Sequence, residues 1–577
     1  MPHEPSKPIR STPGAYLARI EALGSGIVGV ATALPVFIGY TQFAGDPATG
    51  EPLYLKPVAV ASLGEFTARF GGPAVPHYAV APVAPPATPD FTALFTTAGP
   101  DFEVEYGGFT LAPAGGEEPA RFNLYWQLCL FFANGGGSCV VVSVGSYWAD
   151  RFPTEAPGIV PGDWVPGAIR AGSAAPMAGL LGGLAAAGEA VGPTIIVIPE
   201  ACQLGPGDYA SVAAAMLEQA GTLADRVAIL DLPDCMAATT IDALRAAQEA
   251  LWTAIALAAS HLSYGVAYAP ALQAAIVADE DVLYTSLVAG AEGDNGMVND
   301  LLTTQAVQSY QGEGLASVQA AIAAAFPLDA SFGTGNGPRY SLDASAYPPF
   351  DPARETLQAW QGALNRTLLD ALPLLGTVLR LVAAAMNVAP PSGALAGVWA
   401  ACDAEAGLWS APANIALAQV SAPICLVNDD QQPGFTTPLN GMAIDIIRAQ
   451  MGRGAVVWGA RTLDGNSDDY RYIQVRRTII YVRQSIATAL RAYADAPNDR
   501  ATWAAVTAAI SDFLTTFWQQ GGLVGTTASE AFTVSCGLGL TMTPDDLLEG
   551  RMTVAVNLAI SHPAEYIMLS VVQSMTG

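Results

Sequence analysis

Three short apolar runs constrain the fold more than any other feature of the sequence. They are residues 194–199 (TIIVIP), 226–231 (RVAILD) and 262–268 (LSYGVAY). Each is continuous rather than alternating, the pattern of a strand buried on both faces. Between them lie two stretches of helical length, 208–224 with Asp208 as N-cap, and 241–258. Parallel strands need a crossover of a dozen residues or more, and a helix supplies it. This β-α-β-α-β run predicts a parallel sheet with helices packed on it.

Other segments read as follows. Residues 27–40 (IVGVATALPVFIGY) predict a buried strand pair, and 63–70 (LGEFTARF) a helix that stops at Gly71-Gly72. Residues 122–134 (FNLYWQLCLFFAN) predict an apolar helix, followed by a buried strand at 138–144. Residues 455–458, 472–482 and 552–558 are strand-like, whereas 479–493 and 500–519 are helical. Two Pro- and Gly-rich stretches, 73–120 and 150–192, read as irregular, the second with a helix near its end. Residues 275–385 interrupt the pattern with polar loops and with helices around 300–325 and 354–385.

The 577 residues carry 24 Lys plus Arg against 51 Asp plus Glu, a net charge of −27. Such a chain has no overall attraction for nucleic-acid phosphates, so nucleic acid is not expected as a partner. Only 13% of residues are charged and 51% are apolar. Soluble domains average about 25% charged. Too few charges remain to solvate a large free surface, which leaves a membrane, or coverage by other copies and partners. The weakly hydrophobic stretch 171–188 is no convincing span, and the one running from 381 to Asp403 contains Asn387 and Pro390-Pro391. Direct membrane insertion is therefore not expected. The opening MPHEPSKPIRSTPG lacks the apolar region of a secretory signal. Seven cysteines, none in a CxxC pair, read as buried free thiols.

Motifs for chemistry are sparse. His3, His77, His261 and His562 lie in separate segments without metal-ligand spacing. Gly333, Gly335 and Gly337 lack the strand–turn–helix context of a dinucleotide site. Asp464, Asn466, Asp468 and Asp469 break the EF-hand pattern and read as a polar turn. No catalytic residue, metal or cofactor is predicted. An α/β enzyme remains an alternative, with Asp231 and Asp234 as its acids at the strand ends. A shell or capsid-type protein is another. One charge feature stands out: eight arginines (448, 453, 461, 471, 476, 477, 483 and 491) against three acids in the same stretch. They either pair with the chain's own carboxylates or form a basic stripe for an acidic partner.

Seven ordered segments resemble the sheath proteins of contractile phage tails and contractile injection systems. They are PGAYLARIEALGSGIVGVATALPVFIGYT, LGEFTARFGG, FFANGGGSCVVVSV, APPSGALAGVWAACDAEAGLWSAPAN, and the C-terminal series GRGAVVWGARTL, YRYIQVRR and PNDRATWAAVTAAISDFLTTFWQQGGLVG. Ser138 departs from the basic residue usual after the glycines. The resemblance covers about 1–72, 122–145, 190–270 and 388–577; residues 73–121, 150–190 and 275–385 match nothing placeable.

The resemblance implies a multidomain α/β and α+β protein. Its parts would be an N-terminal arm with the first strands (1–40), a middle domain with irregular insertions (41–190), the α/β sheet (191–274), a variable outer insertion (275–387) and a C-terminal inner domain (388–577). It further implies a non-enzymatic subunit, assembled in the bacterial cytoplasm into a phage tail or injection particle. Copies would stack as six-fold rings around an inner tube, with baseplate and terminal cap proteins as partners, and contract to drive the tube through an envelope. Terminal arms would add strands to neighbouring subunits. In this sequence the isolated strands Tyr16, Leu17, Ala18, Arg19, Ile20 and Tyr566, Ile567, Met568, Leu569, Ser570, Val571 fit that part, having no hairpin partner beside them. By the same analogy Arg471, Arg476, Arg477, Arg483 and Arg491 would face the inner tube. Phage tail, extracellular injection system and type VI-like apparatus all remain open.

Overall fold

The computed structural model describes residues 27–75, 77–96, 104–114, 121–148, 167–287, 296–328, 347–494 and 496–563. Both expected linking strands, 16–20 and 566–571, lie outside the described residues, as does the glycine loop 333–337. The chain divides into two units. Of the described residues, the larger contains those within 31–481 together with 561–563, and the smaller contains those within 482–560 together with 27–30.

An eight-stranded sheet organises the larger unit. Its strands are β1 (Pro35–Thr41), β2 (Val58–Val60), β3 (Cys139–Ser146), β4 (Ile195–Val197), β5 (Val227–Asp231), β6 (Gly265–Ala269), β7 (Asp445–Gln450) and β8 (Gly454–Trp458), in the order β8-β7-β6-β5-β4-β1-β3-β2. The six central strands run parallel, and β2 and β8 close the two edges antiparallel. The three apolar runs of the sequence sit side by side as β4, β5 and β6, with Val227 opposite Ile195 and Ala228 opposite Gly265.

Both faces of this sheet are buried, which accounts for the continuous apolar strands. On one face Ile38, Ile196, Leu230 and Ile446 pack with helices Gly179–Gly188, Pro206–Leu223 and Ile241–Ile255. On the other, Phe37, Val197, Ile229 and Tyr268 pack with helices Leu124–Ala133 and Ser392–Ala406. Helix Leu63–Phe70 forms where expected: the Ser62 side chain accepts from the Glu65 amide, and Gly71 ends it at φ 85°.

A second subdomain of the larger unit joins the antiparallel sheet Tyr78–Val83, Val104–Pro113 and Phe91–Thr96 to helices Gly296–Ser309, Gly312–Ala325, Leu357–Ala371 and Pro373–Met386. Phe91, Phe109, Leu301, Phe326, Leu364 and Val378 lie in its core. A polar neck ties it to the main sheet. Asn387 accepts from the amides of Ile276 (2.9 Å) and Val277 (3.0 Å) and donates to the Val277 carbonyl (2.9 Å). Arg121 donates to the carbonyls of Ala385 and Met386 at the end of helix Pro373–Met386. Among the described residues no single helix is long and apolar enough to cross a membrane.

Several expectations are corrected. Residues 27–34 are not a strand: Thr194 Oγ1 takes the Leu34 amide and donates to the Thr32 carbonyl, so side-chain bonds replace a ladder there. The stretch 73–120 contains three strands, Tyr78–Val83, Phe91–Thr96 and Val104–Pro113; Pro82 is accommodated because its strand lies at the sheet edge, where a missing N–H is tolerated. The strand expected at 472–482 is the start of helix Ile473–Leu490. Its β-branched residues are buried almost all round, so no helical stripe marks them. Asp208 is not the N-cap; the helix starts at Pro206 and Asp208 sits in its first turn. The boundaries expected at 40/41, 190/191 and 387/388 run through the single sheet, which draws strands from both sides of each. Residues 388–481 belong to the larger unit, apart from 482–560.

The smaller unit contains the second half of helix Ile473–Leu490, helix Arg500–Gln519 and a two-stranded ribbon, β9 (Phe532–Cys536) and β10 (Val554–Leu558). Asp499 caps helix Arg500–Gln519 by accepting from the amides of Ala501 and Thr502. Val506, Ile510, Phe513, Leu514 and Phe517 form its buried stripe at helical spacing.

Candidate functional site

The carboxylates at the C-terminal edge of the parallel sheet are where an α/β enzyme would keep its acids. Here they serve as helix caps. Asp231, buried at the end of β5, accepts from the Ser392 amide (2.9 Å) and the Ser392 hydroxyl (2.5 Å), at the start of helix Ser392–Ala406. Glu200, fully buried beyond β4, accepts from the amides of Tyr40 (2.9 Å), Asn123 (3.0 Å) and Leu124 (3.3 Å), the last two at the start of helix Leu124–Ala133. Burial pushes Asp231 up to about 7 and Glu200 up to about 8, against the downward pull of these hydrogen bonds. Asp234 is exposed and left-handed at φ 51°. The two acids of the enzyme reading therefore differ in environment: one is committed to a cap and the other is on the surface. Among the described residues no group of three His, Cys, Asp or Glu side chains could hold a metal ion. The Asp464–Asp469 stretch is a turn, with the Ser467 amide on the Asp464 carbonyl.

The arginine stripe divides in the structure. Arg476 is buried between the rings of Tyr264 (4.2 Å) and Tyr470 (3.7 Å) and donates to Ser263 Oγ (2.5 Å). Arg477 makes a two-pronged pair with Asp403 (2.8 and 2.6 Å), donates to the Thr32 carbonyl (3.1 Å) and lies over Trp399. That pair is only 4% and 6% exposed. Neither residue can present charge to another molecule, which corrects the expectation for both. Arg471 is partly exposed and pairs with Asp468 at 3.3 Å. Arg483 and Arg491 are exposed, in the smaller unit, with no ion pair among the described residues. Arg476 and Arg483, seven residues apart, share one helix face. Burial here changes along the helix rather than around it, and periodicity cannot report that.

The ribbon β9–β10 was not singled out in the sequence. Its five facing pairs run from Phe532–Leu558 to Cys536–Val554. Phe532, Val534, Cys536, Val554, Val556 and Leu558 share one face. Thr533, Ser535, Ala555 and Asn557 share the other, where Asn557 Nδ2 donates to Thr533 Oγ1 at 2.9 Å. Among the described residues no third strand joins this sheet, so both outer edges lack a ladder. Two strands alone are marginal in water, and an open edge is a template for another chain. The signal was present as alternation at 552–558; the sequence could not show that its partner is a single strand.

Residues 466–574 match the family described as phage tail sheath C-terminal domain. Among solved structures, a chain of the anti-feeding prophage baseplate (6-fold symmetrised) matches with TM-score 0.52 and 21% identity, covering 98% of this chain and 100% of that one. The anti-feeding prophage helical sheath in its contracted state matches with the same TM-score, identity and coverage. The PVC sheath complex of an extracellular contractile injection system, also contracted, matches with TM-score 0.51 and 21% identity, covering 98% and 99%. No curated protein matches the sequence. The resemblance read from the sequence is borne out at the level of fold, over a span that includes most of the segments it could not place.

Proposed function

From a chain that has the contractile-sheath fold and carries the tail sheath C-terminal domain, we infer a structural subunit of a contractile sheath. Copies stack in rings around an inner tube, engage a baseplate at one end, and contract to drive the tube through a target envelope. The role is mechanical rather than enzymatic. The observation that carries this reading is the ribbon β9–β10, which lies inside the segment that matches the sheath domain and which no third strand joins among the described residues. Strand addition satisfies main-chain groups that the monomer leaves without a ladder. Residues 16–20 and 566–571 are the strands proposed to fill those edges, each in a different neighbouring copy. Such head-to-tail joints do not close on themselves and so propagate a helical stack. Removing residues 564–577 should leave folded, soluble monomer and abolish tubes in electron micrographs. Tubes of normal length from the truncated chain would overturn the reading.

Of the arginines expected at the inner tube, Arg483 and Arg491 remain as contacts and Arg471 is secondary, because Arg476 and Arg477 are consumed inside the larger unit. They suit an acidic tube surface. Exposed ion pairs are individually weak and screened by salt, which suits a partner that must be released on contraction.

A further inference from the structure

We propose that His562 stacked on Tyr472 is the take-off anchor of the C-terminal segment, fixing the direction in which residues 564–577 leave toward a second copy of this chain. After β10 the chain is held in the smaller unit: the Ala559 amide donates to the Ala531 carbonyl, the Val524 amide donates to the Ala559 carbonyl, and Ile560 bridges to Leu523. Two residues later it is held in the larger unit. The His562 ring meets the Tyr472 ring edge-on, with centroids 5.8 Å apart.

Tyr472 is a rigid post. It is buried, it pairs with Arg461 in a β-bridge, and its carbonyl accepts from the Arg476 amide at the start of helix Ile473–Leu490. On either side of it, the Thr462 amide donates to the Arg471 carbonyl and the Ile473 amide to the Ala460 carbonyl. Pro563 follows His562 directly and biases it toward extended backbone. A fixed ring followed by a restricted dihedral sets a direction as well as a point. The chain is therefore held at the larger unit immediately before residue 564. One edge-on aromatic contact is a modest interaction, so its loss should weaken assembly without unfolding the subunit.

The proposal rests on the sheath reading, and the test separates the two. Only four histidines exist, so labelled imidazole resonances of the full chain can be assigned by substitution. In the monomer, Tyr472→Leu should shift the His562 resonance and leave that of His261 in place. In assembly, His562→Ala should raise the protein concentration needed for tubes about threefold to tenfold, and His562→Phe, which keeps a ring, should restore it. An unshifted His562 resonance overturns the anchor. So does wild-type assembly by His562→Ala in a system where the 564–577 truncation abolishes tubes, and in that case the sheath reading stands. Normal tubes from the truncation would sink both.

Discussion

The two units solve the problem of strand edges in opposite ways. In the larger unit, eight strands are covered on both faces, and the edge strand β8 is itself paired by residues 414–417 through the Asn414, Leu417 and Val457 amides. Most of its internal charges are matched to helix ends or to each other, and Arg476 is held between the Tyr264 and Tyr470 rings. Glu200 and Asp231 sit at helix starts, Arg121 and Arg226 at carbonyls of helix ends, and Arg477 against Asp403. In the smaller unit, the ribbon has a polar face, and among the described residues no third strand joins it. On the proposed reading, the first region is closed by its own chain and the second by a neighbouring copy. Low charge content is consistent with both, because a buried core and a covered interface each dispense with solvating side chains.

This contrast can be broken at graded points. The largest effect on stability is expected at Asp403→Ala, which leaves the buried Arg477 guanidinium without its carboxylate. Loss of one partner of a buried pair costs about 3–5 kcal/mol. Denaturant unfolding should show it as a lower midpoint; an unchanged midpoint would mean that the Thr32 carbonyl and the Trp399 face suffice. Next come the buried caps. With Glu200 raised to about 8 and Asp231 to about 7, the folded chain binds protons more tightly than the unfolded chain does. Their contribution to stability is therefore full below the unfolded carboxyl range and declines as pH rises toward 8. Each group contributes a slope of up to about 1.4 kcal/mol per pH unit. Unfolding at pH 5 and pH 8 should reveal this loss, and Glu200→Gln with Asp231→Asn should flatten it.

Smaller effects belong to the smaller unit. Replacing Asn557 with Ala removes a cross-strand pair worth roughly 0.2–1 kcal/mol, and should be felt in tube formation more than in monomer unfolding. Arg483→Glu with Arg491→Glu should alter monomer stability by less than about 0.5 kcal/mol. Co-assembly with an inner tube should nevertheless fail, and binding by the unsubstituted chain should weaken as salt is raised. Co-assembly unaffected by both substitutions and by salt would remove these arginines from the tube surface.

Local signals in the sequence were sufficient for β4, β5 and β6, for the Ser62-capped helix and for helix Arg500–Gln519, because burial on two faces, a cap and a helical stripe are each written within one segment. They also sufficed for the fold-level resemblance. They did not disclose that β1, β3, β7 and β8 join the same sheet, since partner choice among parallel strands is made across hundreds of residues. Nor did they separate Arg476 and Arg477 from Arg483 and Arg491. A guanidinium reads the same in sequence whether it faces water or lies between Tyr264 and Tyr470. The sequence by itself determined the three central strands, the Ser62-capped helix and helix Arg500–Gln519, the acidic, charge-poor character and the family of folds. Tertiary structure alone decided which charges are spent inside and which strands share a sheet, because both depend on contacts between segments that no local pattern records.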